Sequence, residues 1–331
     1  MEERRCEGLR ACPLRPGGGP VKIYYAGDVH GSEKCWRKFL NAAKFYEVDT
    51  LVMGGDITGK VMVPIVARGG GRHQARVLGR DETVSEEGLD ELEKRIRFNG
   101  FYPYRCDREE YQRLESDSAH REETFTRLMV EEVRRWIRLA EQRLGDTRIQ
   151  CYVMPGNDDE FAVDEALESR YVINPDNAVV DLGGVQMLSC SWTNPTPWDS
   201  PRELPEDELA ARLEGLAAQL DPKLPTIFNL HCPPADTPLD RAPQLTDDLR
   251  VVMDGGEPRI VSVGSTAVRE LIERYQPVLA LHGHIHESKG IAKIGRTTIV
   301  NPGSAYSEGV IDGAVVDLRG DTLKSCQLVT G

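Results

Sequence analysis

The chain lacks a long hydrophobic run, a Cys-x-x-Cys pair and an excess of positive charge. A transmembrane helix needs about 20 consecutive apolar residues, and no stretch approaches that length. No membrane partner is therefore expected. The cysteines are Cys6, Cys12, Cys35, Cys106, Cys151, Cys190, Cys232 and Cys326, scattered without pairing, so neither a zinc knuckle nor a disulfide framework is signalled. Cys151 and Cys190 lie in apolar runs and read as small buried hydrophobes. This usage suits a reducing compartment and predicts a cytoplasmic location. Lys and Arg total 41 against 54 Asp and Glu, a formal charge of −13. Non-specific binding to duplex DNA relies on cations that neutralise phosphates, so it is not expected here. Bound dications would offset part of this charge near a site.

At 331 residues the chain holds one large or two ordinary domains. Its charged start, Met1-Glu-Glu-Arg-Arg, has no apolar core behind it and is not a signal peptide. Residues 1–20, ending Pro16-Gly-Gly-Gly-Pro20, read as a flexible tail, and 21–331 as one domain. No internal repeat or low-complexity tract is visible. A homo-oligomer is compatible with the sequence.

Val21 to Ala26 reads as a strand ending at Gly27-Asp28, followed by a helix from Ser32 whose Cys35, Trp36, Phe39, Leu40 and Ala43 share a face. Thr50 to Met53 is the next strand, stopped by Gly54-Gly55-Asp56. Functional residues at strand ends belong to an α/β sheet. Residues 59–123 break this rhythm. They hold a hairpin signal at Gly69-Gly70-Gly71, a charged helix from Ser85 to Phe98, and an aromatic knot at Phe98, Phe101, Tyr102 and Tyr104. We read an insertion, either a solvated decoration or a substrate-selecting cap. Arg72 and His73 within it read as surface residues. An apolar stripe then predicts a helix from about Thr124 to Leu144. A strand from Ile149 to Met154 delivers Pro155-Gly156-Asn157-Asp158-Asp159. The second half reads as hairpin-rich, with Gly183-Gly184 between β-prone runs and strands leading into His231 and into His282-Gly283-His284. Two sheets packed face to face, with helices outside, follow from this pattern.

The strand ends carry the chemistry. Asp28 and His30 are two residues apart and share one face of an extended chain, as do His284 and His286. Asp56 offers a carboxylate able to bridge two cations, which two-metal sites hold about 3.5–4 Å apart. Asn157 adds an amide oxygen and His231 an imidazole. Singly, each has a plainer reading as a turn, a cap or a structural histidine. Together they are hard or borderline ligands without thiolate, suited to Mn²⁺, Fe or Zn²⁺.

Asp-x-His, Gly-Asp, Gly-Asn, His and Gly-His-x-His, in this order, resemble the calcineurin-like metallophosphoesterase superfamily. Gly27-Asp28-Val29-His30-Gly31, His284-Ile285-His286-Glu287-Ser288 and Asn301-Pro302-Gly303-Ser304 look most like a bacterial and archaeal subgroup. The resemblance covers about residues 21–310, apart from the insertion. It implies a four-layer αββα sandwich of two mixed sheets with a dinuclear centre at the strand ends. By motif position it implies Asp28, His30 and His286 on one ion, Asn157, His231 and His284 on the other, and Asp56 bridging. It also favours Mn²⁺.

The resemblance implies hydrolysis of a small phosphate ester by a metal-bridging hydroxide, with Asn157 and His231 close to the reaction. Many family members have His directly after the motif Asn; this chain has Asp158. Beside two dications an Asp stays ionised and is a weak proton donor. That predicts a phosphodiesterase acting on a small or nucleotide-like ester. The rivals are a phosphomonoesterase or protein phosphatase, a nuclease, and a non-catalytic metal-binding scaffold of the same fold. Asp159 is expected to cap the following helix rather than orient a ligand. His282 reads as a buried, hydrogen-bonded neighbour of the site. Gly264-Ser265-Thr266 reads as an N-cap rather than an anion site. Cys232 is not expected to act as a nucleophile.

Overall fold

Glycine stops, caps and two-residue alternation set the element order in the computed structural model, which describes residues 19–331. Most of the stretch read as a tail, with Cys6 and Cys12, lies outside the described residues. Strand β1 (Val21–Ala26) leads to helix α1 (Glu33–Phe45), where the Ser32 hydroxyl accepts from the Cys35 N–H at 3.4 Å. Strand β2 (Thr50–Gly54) follows. The segment after it forms β3 (Val61–Gly69), β4 (Arg72–Val77), β5 (Arg80–Ser85), α2 (Leu89–Phe98) and β6 (Phe101–Cys106). Helices α3 (Arg108–Ser116) and α4 (Ser118–Leu144) lead to β7 (Gln150–Met154) and the single turn α5 (Asp164–Leu167). The second half holds β8 (Ala178–Asp181), β9 (Gln186–Cys190), α6 (Glu206–Ala217) and β10 (Thr226–Leu230). Short strands β11 (Arg241–Pro243), β12 (Met253–Asp254), β13 (Glu257–Pro258) and β14 (Ile260–Ser262) build a protruding arm. Helix α7 (Thr266–Tyr275), β15 (Leu279–Leu281), β16 (Gly290–Ile294), β17 (Thr297–Asn301), β18 (Asp312–Arg319) and β19 (Thr322–Thr330) complete the chain.

Two mixed sheets result, one in the order β19-β18-β1-β2-β7 and one in the order β16-β17-β15-β10-β9-β8. Alternation along each strand sends neighbouring side chains to opposite layers. Ile23, Tyr25 and Val52 face inward and meet Met187, Ile227, Leu281 and Val300 of the other sheet. Tyr24 and Leu51 face outward, under Trp36 and Phe39 of α1 and Trp136 and Ile137 of α4. Leu188 and Phe228 pack outward against Leu209 and Leu213 of α6 and Leu271 and Ile272 of α7. This is the α/β, four-layer αββα sandwich. Each fully buried aliphatic side chain contributes about 1.5–3 kcal/mol to holding it.

The hairpin-rich second half is present, at β8-β9, β12-β13, β16-β17 and β18-β19, but the centre of its sheet is parallel, with β9 against β10, β10 against β15 and β15 against β17. Parallel neighbours need crossover connections, and α6 and α7 supply two of them. Helix α4 also starts before the expected Thr124, because the Asp117 carboxylate accepts from the His120 N–H at 3.0 Å and caps it. The segment read as an insertion folds as its own sheet, β5-β4-β3-β6, covered by α2 through Val63, Ile65, Val77, Leu89, Leu92 and Ile96. Of its aromatic knot, Phe98 ends α2 and Phe101, Tyr102 and Tyr104 lie on β6, with Tyr102 buried.

Trp36 and Trp136 clamp α1 to α4, with rings stacked at 5.1 Å and the Trp36 Nε1–H donating to the Trp136 carbonyl at 3.2 Å. Helix α1 begins just after His30, so this clamp also fixes the first loop of the site. Trp36→Ala should destabilise the protein by about 3–5 kcal/mol in chemical denaturation. A loss under about 1 kcal/mol would show that the clamp is not part of the core.

Candidate metal centre

Strands β1, β2 and β7 run parallel in one sheet, and β10 and β15 run parallel in the other. Their carboxyl ends therefore open on one edge of the sandwich. Asp28 and His30 follow β1, Asp56 follows β2, Asn157 follows β7, His231 follows β10, and His284 and His286 follow β15. Ligand atoms of Asp28, His30, Asp56 and His286 lie within 4.8 Å of one another, as do those of Asp56, His231 and His284. Asp56 belongs to both groups. The Asn157 Oδ1 joins the second, 3.1 Å from the His231 Nε2.

These atoms face one another in a way that needs positive charge between them. His231 donates its Nδ1–H to the Gly54 carbonyl at 2.8 Å, which turns Nε2 toward Asn157 Oδ1 and, at 3.4 Å, Asp56 Oδ1. The Nε2 atoms of His30 and His286 meet at 3.1 Å, with Asp56 Oδ2 3.7 Å from the first and Asp28 Oδ1 3.5 Å from the second. Acceptors crowded in this way repel unless a proton or a cation lies among them. The donor set, mixed nitrogen and oxygen on two sides of a shared carboxylate, fits two divalent ions.

The backbone is bent to make that approach. Asp28, His30, Asp56 and His284 all have left-handed φ, between 38° and 67°. Such strain costs about 1–3 kcal/mol at each non-glycine residue and persists only where the surroundings fix it. They do: the Asp28 and His30 N–H groups donate to the Gly55 and Asp56 carbonyls, each at 2.9 Å. The motif glycines have a separate reason. A methyl group on Gly55 would strike the His231 ring, one on Gly156 the Asp56 carboxylate, and one on Gly283 the Asp28 carboxylate. Gly-Asp, Gly-Asn and Gly-His are therefore spellings of close backbone approach.

Several residues hold the ligand loops in place. Asp159 caps no helix, contrary to expectation. Its carboxylate is buried and accepts from the N–H groups of Ile57, Thr58 and Gly156 at 2.7–3.0 Å, tying the Asp56 loop to the Asn157 loop. Asn301 donates to the Ile285 and Gly283 carbonyls at 2.9 and 3.3 Å and accepts from Gly303, bracing the Gly-His-x-His loop. His282 Nδ1 lies 2.9 Å from the Leu230 and Cys232 carbonyls on either side of His231. Tyr306, which no motif announced, packs its ring 4.7 Å from His30 and 5.8 Å from His286.

Burial pushes His30 and His284 down to about 3, helped by His286 and His231 respectively, so both present free lone pairs at neutral pH. Burial lifts Asp56 to about 6 against the pull of His231. For His231, burial would lower the value, but Asp56 and Asp28 raise it to about 10. Asp28 would also rise on burial; His286 overrides this and holds it well below the usual carboxylate range. A divalent ion held by the second group would take the place of a proton on His231.

A cleft of about 600 Å³ opens over these ligands, lined by Asp56, Asn157, His284 and His286 at its floor. Asn194–Trp198 forms one wall, and residues 242–245 and 261–264 of the arm form the other. Of the segment 59–123, only Lys60 lines this cleft. Asp158 also faces it, bonded to the Lys60 ammonium and, at 3.0 Å, to the Ser200 hydroxyl. Lys60 carries no motif in the sequence, being a lone lysine between Gly59 and the start of β3. The start of α7 is filled internally: Glu206 accepts from Thr266, Ala267 and Ser265 at 2.7–3.0 Å. Cys232 is buried, and burial pushes its thiol far up, so it is no thiolate nucleophile. His73 pairs with Glu86 on the surface of the small sheet.

Strand-end carboxylates and imidazoles around a shared aspartate define a metallohydrolase. The chain belongs to the calcineurin-like phosphoesterases, whose sequence profile matches residues 21–288. An uncharacterized protein of Methanocaldococcus jannaschii is 31% identical over 157 residues, which is 46% of this chain and 64% of that relative. The match thus spans less than two thirds of the relative's length. Among solved structures, TT1561 of Thermus thermophilus superposes with a TM-score of 0.50 at 14% identity, covering 95% of this chain and 99% of that one. A further crystal structure gives 0.54 at 18% identity, covering 94% and 99%. Both likenesses are of fold alone. No helix among the described residues is long and apolar enough to cross a membrane.

Gly283→Ala should displace the Asp28 carboxylate and lower both manganese retention and phosphoester turnover. Gly215→Ala, with open space around it, should change neither. Equal metal retention in the two variants would contradict the close-approach argument.

Proposed function

We propose that the protein is a phosphodiesterase acting on a small or nucleotide-like ester. In this reading Asp28, His30 and His286 hold one ion, Asn157, His231 and His284 hold the other, and Asp56 lies between them. The observation that carries it is the shape of the cleft. Trp198, Pro195 and Pro197, together with Pro243, Leu245 and Val261, give a second ester substituent an apolar lining. A bare monoester would leave that lining wet.

When bound, two divalent ions held by these side chains would supply Lewis-acid charge at the phosphoryl group. The chain's own residues do the rest. Gly54 fixes the His231 tautomer, so its Nε2 always points into the centre. Asn157 presents its neutral Oδ1, and its main-chain carbonyl accepts from the Arg202 main-chain N–H at 3.3 Å. Asp158 supports the diester preference. Burial alone would raise its carboxyl, but Lys60 and Ser200 hold it below the usual range, so it keeps no proton to donate to a leaving group. Good leaving groups are favoured as a result.

Mn²⁺ is the proposed ion, by resemblance to the family; the nitrogen and oxygen donor set without thiolate suits Fe or Zn²⁺ as well. The free thiols of Cys35, Cys151, Cys190 and Cys232 support a cytoplasmic setting. We further propose that residues 59–123 are an insertion on a catalytic domain that starts at residue 21.

Turnover of bis-p-nitrophenyl phosphate and p-nitrophenyl phosphate by manganese-loaded protein tests the substrate class. The diester should be preferred by about tenfold or more in kcat/KM, a transition-state difference above about 1.4 kcal/mol. Faster monoester turnover would favour a phosphomonoesterase. Hydrolysis of neither ester would favour a scaffold.

A further inference from the structure

The phosphoesterase reading leaves open what meets the negative charge of the substrate outside the metal centre. We propose that Lys60 is a catalytic residue whose ammonium binds a non-bridging phosphoryl oxygen, with Asp158 and Ser200 as positioning residues that aim it. The inference rests on the phosphoesterase assignment and goes beyond the metal ligands.

Three observations support it. Among the described residues that line the cleft, Lys60 is the one Lys or Arg, and it shares that lining with Asp56, Asn157, His284 and His286. An anion entering there would otherwise meet Asp158 and Glu287, so an unneutralised cleft would repel its own substrate. Second, the side chain is held without being used up. Asp158 grips the ammonium through one oxygen and takes the Ser200 hydroxyl on the other at 3.0 Å. Lys60 remains 56% exposed, and an ammonium has three donors, so bonds to a phosphoryl oxygen stay available.

Third, the backbone on both sides is pinned. Asp159 accepts from the Thr58 N–H at 2.8 Å, and the Gly59 N–H donates to the buried Tyr102 hydroxyl at 2.6 Å. Gly31, Gly59 and Gly100 pack so closely that a methyl on any of them would strike neighbouring backbone. Strand β3 then begins at Val61, paired with Phe101 of β6. The small sheet therefore buttresses Lys60, which gives the segment 59–123 a role at the site although its body lies away from the cleft. A donor fixed before substrate arrives stabilises developing charge without reorganising. No proton leaves Lys60 in this role.

The test compares manganese-loaded wild type, Lys60→Met, Lys60→Arg and Asp158→Asn, each checked for two ions per chain and for an unchanged melting temperature. Binding of inorganic phosphate, followed by calorimetry, should weaken about tenfold or more in Lys60→Met and largely recover in Lys60→Arg. The kcat/KM for bis-p-nitrophenyl phosphate should fall about 10²-fold in Lys60→Met. It should fall only severalfold in Asp158→Asn, which should add little to Lys60→Met because the two act as a unit. The fall should be equal for p-nitrophenyl and phenyl leaving groups. Phosphate affinity and turnover within about twofold of wild type in Lys60→Met would overturn the proposal. So would a loss that grows with leaving-group basicity, or a larger loss in Asp158→Asn than in Lys60→Met. If wild type hydrolyses no ester, the phosphoesterase reading fails, while the phosphate arm still decides whether Lys60 binds the anion.

Discussion

Electrostatic crowding at one edge of the sandwich is the constraint on which the rest of the structure depends. Two carboxylates, three imidazoles and an amide oxygen bring their polar atoms within 3–4 Å of one another, and His284 joins them within 4.8 Å. Nothing in ordinary core packing rewards that arrangement, since crowding buried acceptors together is destabilising unless positive charge offsets it. It becomes favourable when compact positive charge enters. The left-handed backbone at Asp28, His30, Asp56 and His284 has the same cause, because it aims ligands from separate strands at common points.

The fold supplies the rigidity this needs. Parallel strands in two sheets end at the same edge, so five loops meet there without any of them being long. Each loop is then tied to another. Asp159 joins the Asp56 and Asn157 loops, the Asp28 carboxylate accepts from the His284 N–H at 3.0 Å, and the Ser304 hydroxyl donates to the Asp28 carbonyl at 2.7 Å. Movement of one ligand is therefore resisted by several others. The small sheet of residues 61–106 extends this network to Lys60 through Tyr102.

Much of this was legible in the sequence, and the reasons are local. Ligand pairs two residues apart, glycines before Asp56, Asn157 and His284, and β-prone runs ahead of each marked the strand ends and the sandwich. What escaped depended on distant partners. Asp159 reads as a helix cap by position, but its three N–H donors come from a loop about 100 residues away and from Gly156. Tyr306 and Lys60 carry no motif and acquire meaning only beside His30 and Asp158. The parallel pairing of β9, β10 and β15 was hidden because short apolar strands look alike in either direction, and α6, rich in acidic residues, was not read as a crossover.

The most direct test of the account is the number of ions the folded protein retains. Wild-type protein saturated with manganese and desalted should keep two ions per chain by elemental analysis, and Asp56→Asn, which removes the shared carboxylate, should keep fewer. Retention of fewer than two ions by the wild type, with Asp56→Asn making no difference, would contradict it.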